Sequence, residues 1–417
     1  MRTRFHGSKT CSIGALLLAS SATLGAPPAY TIVDLGLADP GDFGSQGVSV
    51  SPGGVATGRS LGGPGAVALS WTQSGGTVFL PNLASPERNF SVANGANDMG
   101  VVVGTGATTF FGSSPLPLVW ENGVVAQLPL PPGETLGRAN DINNNGVAVG
   151  SVNGGSLERA CLYSEGAGSV ITATTSNGSF MTTAYGINDA GLVVGNGIDP
   201  NNAAVNVGIA YDSVTNTAVA VDPLPGRNGN LCFAVSEAGH VVGSSMFNQG
   251  SGTPFIWTAE GGSVEIPLPP DATSGSARAV NSKGWVVGNA GGLFAVPFLY
   301  DGTNTYSIAE LLPPDATGWD LNMNTSSSAQ GISEDGVIIG SGELNGVVHA
   351  YALIPVAGGC NDADLAEPYD VLDFSDVVAF LGAFAGSDGA ADLAEPFGVW
   401  DFSDVVAFLG AFGAGCP

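Results

Sequence analysis

Two stretches near the C-terminus concentrate the side chains most able to do chemistry. Residues 363–384 read ADLAEPYDVLDFSDVVAFLGAF and residues 391–412 read ADLAEPFGVWDFSDVVAFLGAF, copies 28 residues apart that differ at three positions. The two share four carboxylates: Asp364, Glu367, Asp373 and Asp376 in the first, Asp392, Glu395, Asp401 and Asp404 in the second. Oxygen donors converging from a short loop are what a hard cation such as calcium needs, and the backbone carbonyls of Val371 and Val399 are the natural further contacts. The pattern therefore predicts two calcium sites, one per copy. From first Asp to last each loop runs 13 residues, one more than the usual twelve-residue calcium loop. Asp370 stands where the second copy has Gly398 and is read as exposed. The alternative is a merely solvated acidic surface, but the acids and the apolar segment behind them are duplicated together. A transition metal is disfavoured, because neither copy contains His or an internal Cys.

Elsewhere the chemistry thins out. The three His, at 6, 240 and 349, occupy unrelated positions, and no Ser-His-Asp set or metal-ligand cluster assembles by spacing. Cys161 and Cys232 fall in columns otherwise filled by core residues and are read as core fillers. Asp34, Glu121, Glu165 and Glu310 are scattered acids that could meet in space, as the paired carboxylates of a glycosidase must.

The elements that position the acids follow from the pattern behind each loop. Phe374, Val377, Val378, Leu381 and Phe384 recur at helical spacing, so each loop leads into an amphipathic helix. Asp373 can cap that helix, with Asp376 three positions on completing a capping box.

Upstream, one segment recurs seven times: SPGGVATG, NDMGVVVG, NNNGVAVG, NDAGLVVG, SEAGHVVG, NSKGWVVG and SEDGVIIG, closing at Gly58, Gly104, Gly150, Gly195, Gly243, Gly288 and Gly340. The spacings are 46, 46, 45, 48, 45 and 52 residues. Each unit holds four strand-like pieces, in the third unit 137–142, 147–149, 160–163 and 169–172. The first two join through Asn143–Gly146, where Asn bonds to its own turn and Gly takes positive φ. An aromatic ends each third strand (Trp71, Trp120, Tyr163, Tyr211, Trp257, Tyr300, Tyr351), and packing between units explains it better than a ligand stripe. Only small residues (Gly47, Ala93, Ala139, Ala184, Cys232, Ala277, Ala329) occupy one first-strand column, as close backbone approach requires. The seventh unit lacks a fourth strand, while an unmatched one, Tyr30–Leu35, precedes the first. An N-terminal strand completing the last unit would close a ring and protect its edges. The predicted fold over 29–356 is thus an all-β, seven-bladed β-propeller, with an open β-repeat solenoid as the alternative.

Composition agrees. Glycine accounts for 64 of 417 residues and charged residues for only 11 %, which suits a turn-rich β fold. The formal charge of −26 argues against nucleic-acid and anionic-membrane partners. Arg2, Arg4 and Lys9 precede an apolar run with Ile13 and Leu16–Leu18 at its centre, so residues 1–26 read as an export signal, cleaved near Ala22. A membrane anchor is the alternative, but the run is short. No later stretch offers eighteen continuous apolar residues, so no transmembrane segment is expected in the mature chain. From Cys360 onward there are eleven Asp or Glu and no Lys or Arg, a boundary visible in charge alone.

Two resemblances attach to these motifs. GINDAGLVVG at 186–195 and DINNNGVAVG at 141–150 resemble the secreted HAF-repeat family. That implies an exported or surface-associated protein and supplies no catalytic residues. DFSDVVAFLGAF, present twice, and the closing AGCP resemble a type I dockerin, closest to the GC-ending variant at the C-terminus of exported planctomycete proteins. The resemblance covers 360–417 and implies an EF-hand-like calcium module that docks onto a cohesin-like or other cell-surface receptor. Ala-Glu-Pro replaces the usual Asn-Gly-Asp-Gly core, with Glu367 and Glu395 as substitutes. Because dockerin-like halves bring their ends together, the resemblance also implies a Cys360–Cys416 disulfide, which export would permit. The expected protein is bacterial, secreted or cell-surface associated. It is a non-catalytic binding or structural protein whose repeat domain takes an extracellular carbohydrate or protein. The alternatives are a propeller glycoside hydrolase or polysaccharide lyase on the same module, and a pure scaffold or adhesin.

Overall fold

A computed structural model describes residues 28–356, except 64, 88, 110–112, 154–156, 249, 292–294, 314–315 and 323–325, and, in the tail, 363–366, 372–386, 391–394 and 399–415. Among the described residues the chain is mostly sheet, with two α-helices at its C-terminal end. The expected export signal, Cys360 and Cys416 lie outside the described residues.

The strands pair antiparallel in sets of four. In the third repeat Gly137–Ile142, Ala148–Val152, Arg159–Ser164 and Ala167–Val170 lie side by side in chain order. Sets beginning at Phe180, Gly229 and Gly275 form the same four-stranded sheets. Sets beginning at Gly44 and Phe90 share a larger sheet with the last repeat through single parallel bridges, Gly44 to Val348 and Ala66 to Phe90. In that last repeat Ser328–Ile332, Ile338–Leu344 and Val347–Pro355 pair in order, and the fourth position is taken by Tyr30–Asp34. Tyr30 faces Pro355 and Asp34 faces Tyr351, so the expected closure by the N-terminal strand holds.

The first two strands of each set meet at the repeated turn, where Gly146 sits at φ +77° as the motif requires. The closing glycines answer a different constraint. A Cβ on Gly150 would overlap the carbonyl oxygen of Arg138, and one on Gly243 that of Leu231.

The fourth strands end sooner than expected. The third set's runs Ala167–Val170, and in the sixth the strand stops at Ser307 and enters a 3₁₀ turn, Ile308–Leu311. Glu310 accepts from the Ser307 N–H (3.0 Å) there. The Leu-Pro segments that follow leave the sheet because proline has no N–H for the ladder.

Apolar residues gather between consecutive sets. Val103 of one packs with Ala139, Ala148 and Cys161 of the next, and Val149 and Ala160 pack with Ala184 and Val193. Leu35, Ala56, Leu69 and Trp71 pack with Ile339, Ala350 and Ala352, joining first to last. The small column from Ala93 to Ala329 is completely buried. Of the aromatics, all but half-buried Tyr300 are buried, and Trp120 Nε1 donates to Pro81 O (2.8 Å) and Tyr351 OH to Ser328 O (2.8 Å). Cys161 and Cys232 are fully buried fillers, as read.

In the tail, α1 (Phe374–Gly386) and α2 (Phe402–Ala414) meet through Phe380 and Phe408, whose rings stack at 4.1 Å. The apolar face read from the pattern splits in two. Val377, Phe380, Ala383 and Phe384 enter the shared core, whereas Phe374, Val378 and Leu381 face outward at 77 %, 54 % and 57 % exposure. No helix among the described residues is long and apolar enough to cross a membrane.

Candidate functional site

The acids of each tail loop are organised around one buried carboxylate. Asp376 Oδ1 accepts the N–H groups of Leu365 (2.7 Å) and Ala366 (2.8 Å), and its Oδ2 accepts that of Asp373 (2.8 Å). Asp404 repeats this with Leu393, Ala394 and Asp401. Burial pushes the Asp376 pKa up, but these N–H groups together outweigh it and hold the carboxyl below its ordinary value. For Asp404 the Asp401 N–H leads, against burial and with help from Ala394 and Leu393, and the direction is the same. Asp373 and Asp401 cap their helices, accepting from Ser375 N (2.6 Å) and Ser403 N (2.7 Å) and from both serine hydroxyls.

The structure thus joins Asp373 to Asp376 and Asp401 to Asp404 at the two loop–helix junctions, with Asp364 and Asp392 immediately before the Leu365 and Leu393 N–H groups those carboxylates hold. Val399 is half-exposed beside the second. Glu367, Val371 and Glu395 lie outside the described residues. The donors are all oxygen, which suits calcium. Asp376 and Asp404, however, already accept three N–H bonds of the roughly four a carboxylate can take, so neither can chelate through both oxygens. Of the described acids, that leaves Asp364 and Asp373, or Asp392 and Asp401, as the carboxylates on which a cation would chiefly rest. Among the described residues no group of three or more His, Cys, Asp or Glu is placed to hold a metal ion.

A second candidate lies in the repeat domain, on residues to which the sequence assigned no role. Every first strand carries a β-bulge directly after the small column, and the bulged residues are Val48, Asn94, Asn140, Tyr185, Phe233, Arg278 and Gln330. A bulge re-aims its side chain, and all seven line one cavity of about 410 Å³. The available signal was a column of unlike residues beside a column of uniformly small ones.

The repeated turns ring one mouth of this cavity. Gly53 N donates to Asp98 (2.6 Å), Asp98 N to Asn144 (2.9 Å), Asn144 N to Asp189 (2.7 Å) and Asp189 N to Glu237 (2.9 Å). Ala238 N donates to Ser282 (3.2 Å), Ser282 N to Glu334 (3.0 Å), and Glu334 N returns to Pro52 O (3.0 Å). Within the cavity, burial pushes Asp141 up to about 7, against N–H bonds from Ile187 and Ile142 and with the charge of Glu237 adding to it. Glu237 is raised as well, first by burial. On another part of the wall, Arg278 lies over the Phe233 ring at 4.6 Å, and Tyr185 meets Phe233 edge-on at 6.0 Å.

The scattered acids do not converge. Asp34 pairs with His349 (2.8 Å), Glu165 sits in a turn at φ +51°, and Glu310 caps the 3₁₀ turn. Glu121 ends the strand Leu116–Glu121, exposed.

No family model matches the chain, and no curated protein matches it. Among solved structures, virginiamycin B lyase from Staphylococcus aureus, in a catalytically inactive form with quinupristin, is similar over 78 % of this chain and 100 % of its own, at 13 % identity and TM-score 0.48. YCF48 bound to D1 peptide is similar over 80 % and 97 %, at 12 % identity and TM-score 0.48. TolB from Acinetobacter baumannii is similar over 77 % and 66 %, at 12 % identity and TM-score 0.42. At such identities the likeness is one of fold alone.

Proposed function

We propose that this chain is an exported, cell-surface binding protein without catalytic activity, held in place by its C-terminal module. Residues 29–356 are a closed seven-bladed β-propeller. The pairing of Tyr30–Asp34 with Val347–Pro355 and the core shared by first and last sets support that reading. Residues 360–417 are an EF-hand-like, dockerin-like module that binds two calcium ions, is clasped by a Cys360–Cys416 disulfide, and docks onto a cohesin-like or other surface receptor.

One observation carries the docking reading. The two helices expose equivalent apolar triplets, Phe374, Val378, Leu381 and Phe402, Val406, Leu409, each residue at least half exposed. Isolated apolar side chains on a surface need no explanation, but a duplicated stripe beside a buried aromatic core favours a partner.

The test uses labelled full-length protein mixed with envelopes from the producing cells. Retention should require calcium, reverse with chelator, and fail when Phe374, Leu381, Phe402 and Leu409 are all changed to Ser. Retention indifferent to both chelator and variant would overturn the docking reading, and absence of calcium binding by calorimetry would overturn the metal assignment.

A further inference from the structure

Beyond the first nine residues the chain has only seven Lys or Arg against 36 Asp or Glu. With carboxylates in such excess, each remaining cation has many candidate partners. Arg159 takes one, Glu134. Among the described residues no other Lys or Arg has a carboxylate partner, and Arg278 is set apart because its Nε is sealed from water with no acceptor. Arg278 as a whole is only partly buried, so the cost falls on its Nε, and a buried donor is expensive unless an acceptor meets it.

The surroundings are built rather than accidental. The bulge at Arg278 turns it toward the cavity, and its guanidinium carbon lies over the Phe233 ring at 4.6 Å. Arg278 also borders a recess of about 460 Å³ lined by Ser251, Ser274, Ser276, Ser327 and Ser328, so it stands between two spaces. A second cation reinforces the field, because the charges of Arg278 and Arg138 both bear on the Tyr185 hydroxyl, with Glu158 opposing them. Of the acids of the turn ring, Asp189, Glu237 and Glu334 line this cavity from the repeated turns, and Asp141 lines it as well, so its polarity is uneven.

We propose that the cavity lined by the bulged residues is a ligand site for a small organic carboxylate, whose planar anion is gripped by Arg278 while its ring or apolar face lies along Phe233 and Tyr185. A forked guanidinium matches a two-oxygen planar anion better than a point charge does. The proposal rests on reading the repeat domain as a binding module and gives that module its ligand class. A sugar acid and an aromatic acid share this chemistry, and the experiment separates them.

Full-length protein is titrated calorimetrically with glucuronate and with benzoate, with glucose and sulfate as comparators, and each mixture is followed by NMR for chemical change. At least one carboxylate should bind once per chain, with glucose silent and sulfate weaker. Glucuronate alone binding assigns a sugar acid, and benzoate alone an aromatic one. R278Q should weaken binding about tenfold or more, and R278K, which keeps the charge and loses the fork, should fail to restore it. R159Q should leave it unchanged. If R278Q does not fold, R278K and the direct titrations still decide. The site is overturned if neither carboxylate binds at millimolar concentration, if sulfate binds as well as both, or if neither Arg278 variant alters affinity. Conversion of a bound carboxylate would uphold the site and overturn the non-catalytic reading instead.

Discussion

The chain sets its carboxylates in opposite environments, and the two kinds respond to pH with opposite signs. Asp376 and Asp404 are held below the ordinary 3.8. Their stabilisation is complete above that value and is lost only as pH falls through their lower folded pKa. Asp141 is pushed to about 7, so the native state binds its proton where the unfolded chain does not. Its effect, with that of Glu237, is to make the repeat domain more stable as pH falls. Thermal melts should show the β-domain transition rising from about pH 8 to about pH 5, while the tail helices change only in stronger acid. Asp141→Ala should remove much of that rise, and a flat profile would contradict the assignment. The tail acids were readable from sequence because residue type and spacing are duplicated. The capping role of Asp376 was readable too, but its clamp on Leu365 and Ala366 was not, since it depends on how the loop folds back. Arg278 and Phe233 were invisible for another reason: a bulge sets their direction, and a bulge is a backbone property with no residue signature of its own here.

At the scale of the element, the repeats were legible because each turn does the same work. Asn143 accepts from Val147 N (2.9 Å) and Asn145 N (3.1 Å) and donates to Asn188 O (3.0 Å) in the next turn. Asn188 and Asn281 do likewise. The second glycine of the motif marked the repeat without explaining itself. It is needed because the bulged first strand brings a carbonyl against it. Gly150→Ala should therefore destabilise the repeat domain by about 1–3 kcal/mol, measured by denaturant unfolding, whereas Gly382→Ala, with open space around it, should not. Equal effects would mean that the carbonyl can move aside. The fourth strands were less legible, because an apolar run interrupted by proline does not say where the ladder stops. The helices misled for a related reason. They are apolar on two sides, and periodicity alone cannot tell the stripe that packs on Phe408 from the stripe left outside.

For the whole molecule, closure was the one long-range feature legible in the sequence, through a missing strand at one end and a spare at the other. Its physical content is the pairing of Tyr30–Asp34 with Val347–Pro355, joined by the Asp34–His349 contact and the packing of Leu35 and Tyr30 into two different cores. Deleting residues 29–36 removes that strand, opens an edge and uncovers both clusters. The variant should unfold at lower denaturant and aggregate more readily, as scattering and chemical unfolding would reveal. Unchanged midpoint and solubility would mean that the last sheet stands without it.

The ring of turn-to-turn hydrogen bonds has a genealogical consequence. Tandem copies in a gene invite unequal exchange, which adds or drops units, and an open array tolerates this because a new unit simply lengthens the stack. Here Glu334 N must reach Pro52 O, and the strand at residue 30 must find its place beside residue 355. An added or lost unit would leave that circuit to be re-formed at a different curvature. Selection on folding alone would therefore hold the copy number fixed while leaving the bulged residues, which the circuit does not use, free to diversify.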